Sequence, residues 1–595
     1  MSNLAPSGMR IVDAYPASAL TPFGGVATFV VEVERVLTPG SVAAGPSHAR
    51  LRLELLDLGA VVSVGEFDVL VPAGASEHGI RMQAPSAAAG SDAGVSPAAI
   101  GYQVRVTLAP TTAELPSQAL TAVLVADHWR HAPRYGFLSE FAPEDASGAD
   151  QGSQRVRHLA KHHITIVQFY DWMYRHYQLL PPADLYSDAL NRELSLTTVR
   201  SRIDACHRHG MAAIAYGAVY GPEPEFILER PEWLLYDSQG DPISLIELFY
   251  ITDLRAGSGW REHILREFEQ AVRELDFDGI HMDQYGFPKL AYDNVGAMVD
   301  LAADFPSMID EAAARLGAIE RAPGSRDVGV IFNAVNDWPI DTVAVSDQEC
   351  VYIEVWDPHS RYSDLVDLVR RARDLSGKQA ILSAYLQPFR DGGDSAEWAL
   401  RYATAIIAAA GGHHLVLGEG DAVLRDPYYP NHGRLSAGGA KVVRRYYDHT
   451  AAFTDVLHAL DLRPVEKTFT TGVNTAFVLT GAPVATNPTA GSVYFACSQR
   501  AGQFVINLVN LTGVTDDTLD AHKLPAPLLE GLVLECEPFI RPTRVVHASP
   551  DGEGWPGGSA SYAARVIDHV TGQDGRVRIA LPPLSVWSTI VIDHD

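Results

Sequence analysis

Cysteine is scarce: Cys206, Cys350, Cys497 and Cys536 are the only four in 595 residues, far apart and without a CxxC pair. That excludes a disulfide scaffold and a zinc finger, and the thiols read as buried core residues. Positive charge is also short. Lys and Arg number 46 against 73 Asp and Glu, a net charge of −27. So acidic a surface repels phosphate backbones and anionic lipid, so neither nucleic acid nor a membrane is an expected partner. The longest apolar run, Tyr402 to Gly412, falls well below the roughly 20 residues that span a bilayer. The opening stretch, MSNLAPSGMRIVDAYPASAL, has no basic segment followed by an apolar core, and a cytoplasmic location is expected. GxGxxG and GxxxxGKS/T patterns are missing after the first strand, and HExxH and EF-hand patterns are missing altogether. The histidine pairs His162/His163, His207/His209 and His413/His414 have spacings that point their rings apart on a helix. No metal and no cofactor is expected, with a calcium ion in one of the acidic loops as the alternative left open.

What is present is ordinary globular material, 47% hydrophobic and 20% charged. The length fits several domains or one large barrel with attachments. In the first 130 residues short runs alternate apolar and polar positions, as in RLRLELLDL from Arg50 and YQVRVTLAP from Tyr102. Period-2 runs separated by Gly, Pro and Ser predict an immunoglobulin-like β-sandwich over 1–131. From about Ala132 apolar runs alternate with longer amphipathic segments. ITIVQF (Ile164), AAIAYG (Ala212), FYITDL (Phe249), GIHMDQ (Gly279), GVIFNA (Gly329), VYIEVW (Val351), AILSAY (Ala380) and HHLVLG (His413) read as eight strands. Helices are predicted at 196–209, 260–275, 295–316, 363–375 and 396–410, with a further long one at 437–460. Eight β/α alternations predict a (β/α)8 TIM barrel over 132–462. Period-2 runs then return, as in QFVINLVNLT from Gln503 and VWSTIVID from Val586, and predict a second β-sandwich over 463–595. The expected fold is multidomain, a central TIM barrel flanked by N-terminal and C-terminal β-sandwiches.

In such a barrel the C-terminal strand ends form the active-site face. Read in order, those ends carry Gln168, Tyr170, Asp171 and Trp172; Tyr216; Asp253; Asp283 and Tyr285; Asn333; Glu354 and Trp356; Tyr385; and Glu419. A rim of carboxylates and rings suits a sugar, whose faces stack and whose hydroxyls bind planar acceptors. An oligosaccharide or polysaccharide is the expected partner. Glycoside hydrolysis needs one carboxylate as nucleophile or base and a second as proton donor. Asp283, in FDGIHMDQYG, and Glu354, in VYIEVWDP, each follow a strongly apolar strand and are the best pair. Asp278, in the same FDG turn, reads as structural, since Asp-Gly entering a strand is turn chemistry.

The segments RYGFLSEFAP (Arg134), ITIVQFYDWMYRH (Ile164), MAAIAYGAVYG (Met211), FDGIHMDQYG, VYIEVW, and HHLVLGEG with LRDPYYPNH (Leu424) resemble glycoside hydrolase family 66. That family holds endo-dextranases and cycloisomaltooligosaccharide glucanotransferases. The resemblance implies a retaining mechanism on α-1,6-linked glucan, with the nucleophile at Asp283 and the acid/base at Glu354, and with the remaining rim residues binding substrate. It departs from the family pattern beside the nucleophile, where Met282 and Gln284 stand in place of a small residue and a hydroxyl residue. Family cyclases carry an extra carbohydrate-binding module within the barrel. No insertion of that size separates the strands here, which favours hydrolysis over transglycosylation to or from cyclic isomaltooligosaccharides. A non-catalytic carbohydrate-binding barrel is the remaining alternative, and both carboxylates are present against it.

Overall fold

A computed structural model of the chain describes residues 8–37, 45–86, 98–111, 115–143, 149–321, 326–465, 476–551 and 562–594. The N-terminal part forms two antiparallel sheets. One pairs Gly8–Pro16, Val26–Val36 and Gly74–Gln83; the other runs in the order Ala60–Val71, Ser47–Asp57, Ile100–Pro110, Ser117–Val125. The period-2 reading is realised side chain by side chain. Leu51, Leu53 and Leu55 face Phe29, Val31, Val104 and Val106 in a closed core, while Arg50 and Arg52 face water and pair with Glu66. Each such buried aliphatic contributes about 1.5–3 kcal/mol.

The centre is an eight-stranded parallel sheet. Its strands are, in order, Tyr135–Leu138, Ile166–Phe169, Ala212–Ala218, Gly279–Asp283, Gly329–Asn333, Val351–Glu354, Ala380–Ser383 and His413–His414. A parallel bridge between Phe137 and Gly418 joins the last strand's continuation to the first. The molecule is thus a TIM barrel with flanking sheet domains. Two strand assignments from sequence are corrected. Phe249–Tyr250 is not a barrel strand: it pairs antiparallel with Ser244–Leu245 in the long connection after strand three. Its apolar residues Phe249, Ile251 and Leu254 are buried all the same, without joining the barrel sheet. The true first strand is Tyr135–Leu138, four residues long and too short to show a period. The two errors offset, so Asp283 still ends strand four and Glu354 strand six.

The helix from Trp260 is observed as Gly259–Leu275; Ser258 caps it by accepting from the Arg261 N–H at 3.1 Å. Such a cap is worth about 1 kcal/mol. Left-handed Asp276 ends the helix and turns the chain into strand four. Asp278 sits buried in that turn, accepting from His207 at 2.8 Å and from the Ala213 N–H at 2.9 Å, a structural anchor below the barrel. The stretch from Val295 is not helical at its start. A hairpin of Leu290–Tyr292 and Met298–Asp300 precedes the helix Leu301–Gly317, whose first turn Asp300 caps. The long helix expected over 437–460 breaks at Phe453 into Ala437–Ala452 and Thr454–Leu457. The C-terminal part builds a sheet around Val493–Arg500, Gln503–Asn510, Trp587–His594 and Pro542–Ala548. A four-stranded sheet beside it contains Val533–Cys536 and Val577–Ala580. Among the described residues no helix is long and apolar enough to cross a membrane.

Candidate active site

The barrel interior is filled, and its filling is the floor of the site. Tyr135, Tyr352 and His281 meet at its centre, with ring centroids 4.7–6.0 Å apart, above a layer that includes Ile166, Ile214, Ile331 and Ile381. Burial pushes the His281 imidazole down to about 3, so it is neutral and shares a 3.1 Å hydrogen bond with the Tyr135 hydroxyl. Among the described residues no cation lies below the carboxylates, which matters for their protonation.

Strand alternation puts Asp283 two residues above His281 and Glu354 two above Tyr352, so both project over this floor. They are held by neutral donors. The Tyr216 hydroxyl donates to Asp283 Oδ2 at 2.8 Å and the Tyr385 hydroxyl to Glu354 Oε1 at 2.5 Å. Between them stands Asn333, the last residue of strand five. Its single Nδ2 donates to Asp283 Oδ1 at 2.6 Å and to Glu354 Oε2 at 2.8 Å. Two oxygens bound to one nitrogen at those distances lie no further apart than their sum, about 5.4 Å.

Burial raises both carboxyls above their usual range. The Glu354 charge raises Asp283 further, against the Asn333 and Tyr216 donors; for Glu354, burial outweighs donors from Tyr385, Asn333 and Trp356. Among the described residues neither carboxylate has an ion-pair partner within 4.0 Å. Two like charges this close in a buried site titrate as a pair, and the state with one proton between them is favoured over the doubly ionised one. A consequence for stability has a definite sign. The second ionisation of the pair lies above the unfolded value of either carboxyl, so the unfolded chain ionises first as pH rises and gains over the folded one. Asp283→Asn removes that penalty. Its melting temperature should equal that of the parent near pH 4 and exceed it by a few degrees at pH 8, as thermal melts across pH will register.

The other rim residues divide. Tyr170 lies flat against Tyr429 at 4.1 Å and leans on Tyr216 at 5.1 Å, which makes an aromatic wall beside Asp283. Trp356, 39% exposed, stands over Tyr385 with centroids 5.5 Å apart on the Glu354 side. Tyr285 packs on Tyr220 at 5.0 Å, half-buried. Asp171, in a left-handed conformation, lies 3.9 Å from Arg192, and burial pushes it up to about 6 against that cation. Gln168 shares the inward face with Ile166 and Tyr170, and its buried Oε1 has no hydrogen-bond partner among the described residues.

Three candidates do not reach the cleft. Trp172 is 0% exposed, packs on Phe277 and donates its indole N–H to the Tyr216 carbonyl, so it supports the wall from behind. Glu419 is 3% exposed and accepts from the Ser139 and Glu140 N–H groups, joining strand eight's continuation to the end of strand one. Asp253, on the connection after strand three rather than a strand end, is bound by Arg255, which also bridges to Asp293. Short apolar runs place such residues near a rim without fixing which way they turn.

The sequence reading missed His281, Tyr352 and Tyr429. The first two lie inside apolar strands, where only an inward alternation with the carboxylates marks them. Tyr429 lies in LRDPYYPNH, where nothing local shows the stacking. Met282 and Gln284, the departures beside Asp283, both turn away from the cleft. Met282 is fully buried in the layer outside the barrel, and Gln284 donates to the Asn333 carbonyl at 3.1 Å, fixing the residue that bridges the carboxylates.

Residues 41–591 match the profile of glycosyl hydrolase family 66. A cycloisomaltooligosaccharide glucanotransferase of Niallia circulans is 29% identical over 306 residues, 48% of this chain and 30% of that protein. A dextranase of Streptococcus salivarius is 23% identical over 576 residues, 83% of this chain and 68% of that protein. The match thus spans about 30% of the length of the Niallia glucanotransferase. A solved structure of a Paenibacillus sp. cycloisomaltooligosaccharide glucanotransferase, complexed with cycloisomaltoheptaose, shares the fold with a TM-score of 0.84 at 19% identity, over 98% of this chain and 99% of that one. With the family profile running through the barrel and most of both flanking regions, the chain belongs to glycosyl hydrolase family 66.

Proposed function

We propose that the protein is a retaining glycoside hydrolase that cleaves α-1,6-glucosidic linkages of dextran-derived or isomaltooligosaccharide chains. The observation that carries this reading is the Asn333 bridge. It holds one oxygen of each carboxyl within about 5.4 Å of the other, a closeness that supports the about 5–5.5 Å spacing of retaining enzymes over the roughly 6.5–9.5 Å that inverting ones keep for a water between the groups. In this reading Asp283, ionised and oriented by Tyr216 and Asn333, attacks the anomeric carbon. Glu354 holds the shared proton and gives it to the departing glucosyl oxygen. Glu354, now ionised, then takes a proton from water as that water opens the glycosyl-enzyme ester. Tyr170 and Trp356 supply faces on either side of the pair for the sugar rings. The dextranase and glucanotransferase relatives support an α-1,6-glucan substrate, and the presence of both activities among them leaves a second outcome, in which a glucan hydroxyl replaces water. Incubation with linear isomaltooligosaccharides separates the two: new reducing ends mark hydrolysis, and cyclic products without them mark transfer.

Asn333 gives this reading an internal check. It donates to both carboxylates and lowers both, so Asn333→Ala should reduce kcat on the order of 10²-fold, as loss of a preorganised donor does. It should also move the acidic limb of the kcat/KM profile to higher pH, because each carboxyl then loses protons less readily. An unmoved limb would mean that the bridge does not set the pair's protonation.

A further inference from the structure

The layer between barrel and helices contains a guanidinium that, among the described residues, no acidic side chain touches, Asp448 acting on it only from a distance. Arg134 immediately precedes strand one and is 4% exposed. Its Nη2 donates to the Tyr447 carbonyl at 3.0 Å and to the Thr450 hydroxyl, and its buried Nε has no partner among the described residues. Among the described residues no carboxylate lies within 4.0 Å of the guanidinium. The nearby Asp448 is engaged elsewhere, with His163 at 2.7 Å, Thr121 at 3.1 Å and Arg444 at 3.2 Å, so its charge is already matched by Arg444. The Tyr447 ring centroid lies 5.6 Å from the guanidinium carbon and Asp448 acts on it at longer range, yet a buried guanidinium whose direct acceptors are neutral is a costly arrangement that a counter-charge in contact would relieve.

A cavity of about 30 Å³ adjoins it, lined by Arg134, Thr404, His413, His414, Tyr447 and His458 among others, and among the described residues no Asp or Glu contributes to its wall. His413 and His458 stack at 4.1 Å. Burial holds both imidazoles below their usual range, so they are neutral; the His413 N–H is donated to Gln379 Oε1 at 3.3 Å, and His458 keeps one N–H. The space admits a monatomic ion or one or two waters, and is too small for a phosphate or a sugar.

We propose that this cavity is a binding site for one small monovalent anion, a halide such as chloride, held by the Arg134 guanidinium. Its place gives it a consequence. The cavity touches Tyr135 of strand one and His413 and His414 of strand eight, the seam where the barrel closes through a two-residue strand and the Phe137–Gly418 bridge. An ion bound there only in the folded state ties strand one to the helix Ala437–Ala452 and stabilises the closed barrel in proportion to its occupancy.

Crystals of the unmodified protein soaked in bromide and measured at the bromine absorption edge test the site. An anomalous peak beside the Arg134 guanidinium is expected; its absence there, with the cavity holding water alone, overturns the proposal. In solution the melting temperature should be higher in sodium chloride than in sodium gluconate at equal ionic strength, and Arg134→Gln should abolish that difference. A peak without any halide-dependent stability would mark an adventitious ion only and also overturn it. If Arg134→Gln does not fold, the two measurements on the parent protein still decide.

Discussion

Turnover of Asp283→Ala on isomaltooligosaccharides is expected to fall on the order of 10⁵-fold, with the fold intact. The size follows from the step that is lost. Without the carboxylate no glycosyl-enzyme bond forms, and only binding and the remaining polar groups assist direct attack by water. The fold should hold because Asp283 makes no ion pair, and its burial works against its charged form. The alanine leaves Asn333 bound to Glu354 and Tyr216 packed on Tyr170. Reducing-end release with parallel thermal melts checks both halves. Activity within tenfold of the parent would place the nucleophile elsewhere.

Glu354→Ala should produce the second largest effect, and a divided one. On natural glucan the variant lacks the proton that the departing oxygen needs, and a loss on the order of 10³- to 10⁴-fold is expected. An aryl glycoside with an acidic phenol departs without that proton, so the first step should be largely spared and the second become limiting. Azide needs no base to attack the glycosyl-enzyme. Adding it should restore turnover on the aryl substrate and yield an α-glycosyl azide, identified by mass and NMR. Equal losses on both substrates, with no response to azide, would remove Glu354 from the acid/base role.

Both carboxylates were legible before any coordinates, because each ends a strongly apolar strand and each lies in a segment that carries the family resemblance. The barrel was legible through its alternation of apolar runs and amphipathic helices. Strand one was not, since four residues show no period, and FYITDL took its place because an apolar run buried in a long connection reads the same as one buried in a sheet. The rim was half legible. Strand-end position brought Tyr216, Asn333, Tyr385 and Trp356 to the right place, but it could not tell Trp172, turned into the core, from Tyr170, turned into the cleft. It also gave Asn333 as a sugar contact, whereas its amide bridges the two carboxylates. That role depends on two strands converging to within hydrogen-bond reach of a third, a distance no local pattern encodes.

The central claim is that Asp283 reaches the anomeric carbon itself, with no water between, and stereochemistry tests it most directly. Proton NMR during the first turnovers on an α-1,6-linked oligosaccharide should show the α-anomer of the new reducing end ahead of mutarotation, because two displacements at one carbon restore its configuration. Initial release of the β-anomer would contradict the covalent step and the role given to Asp283.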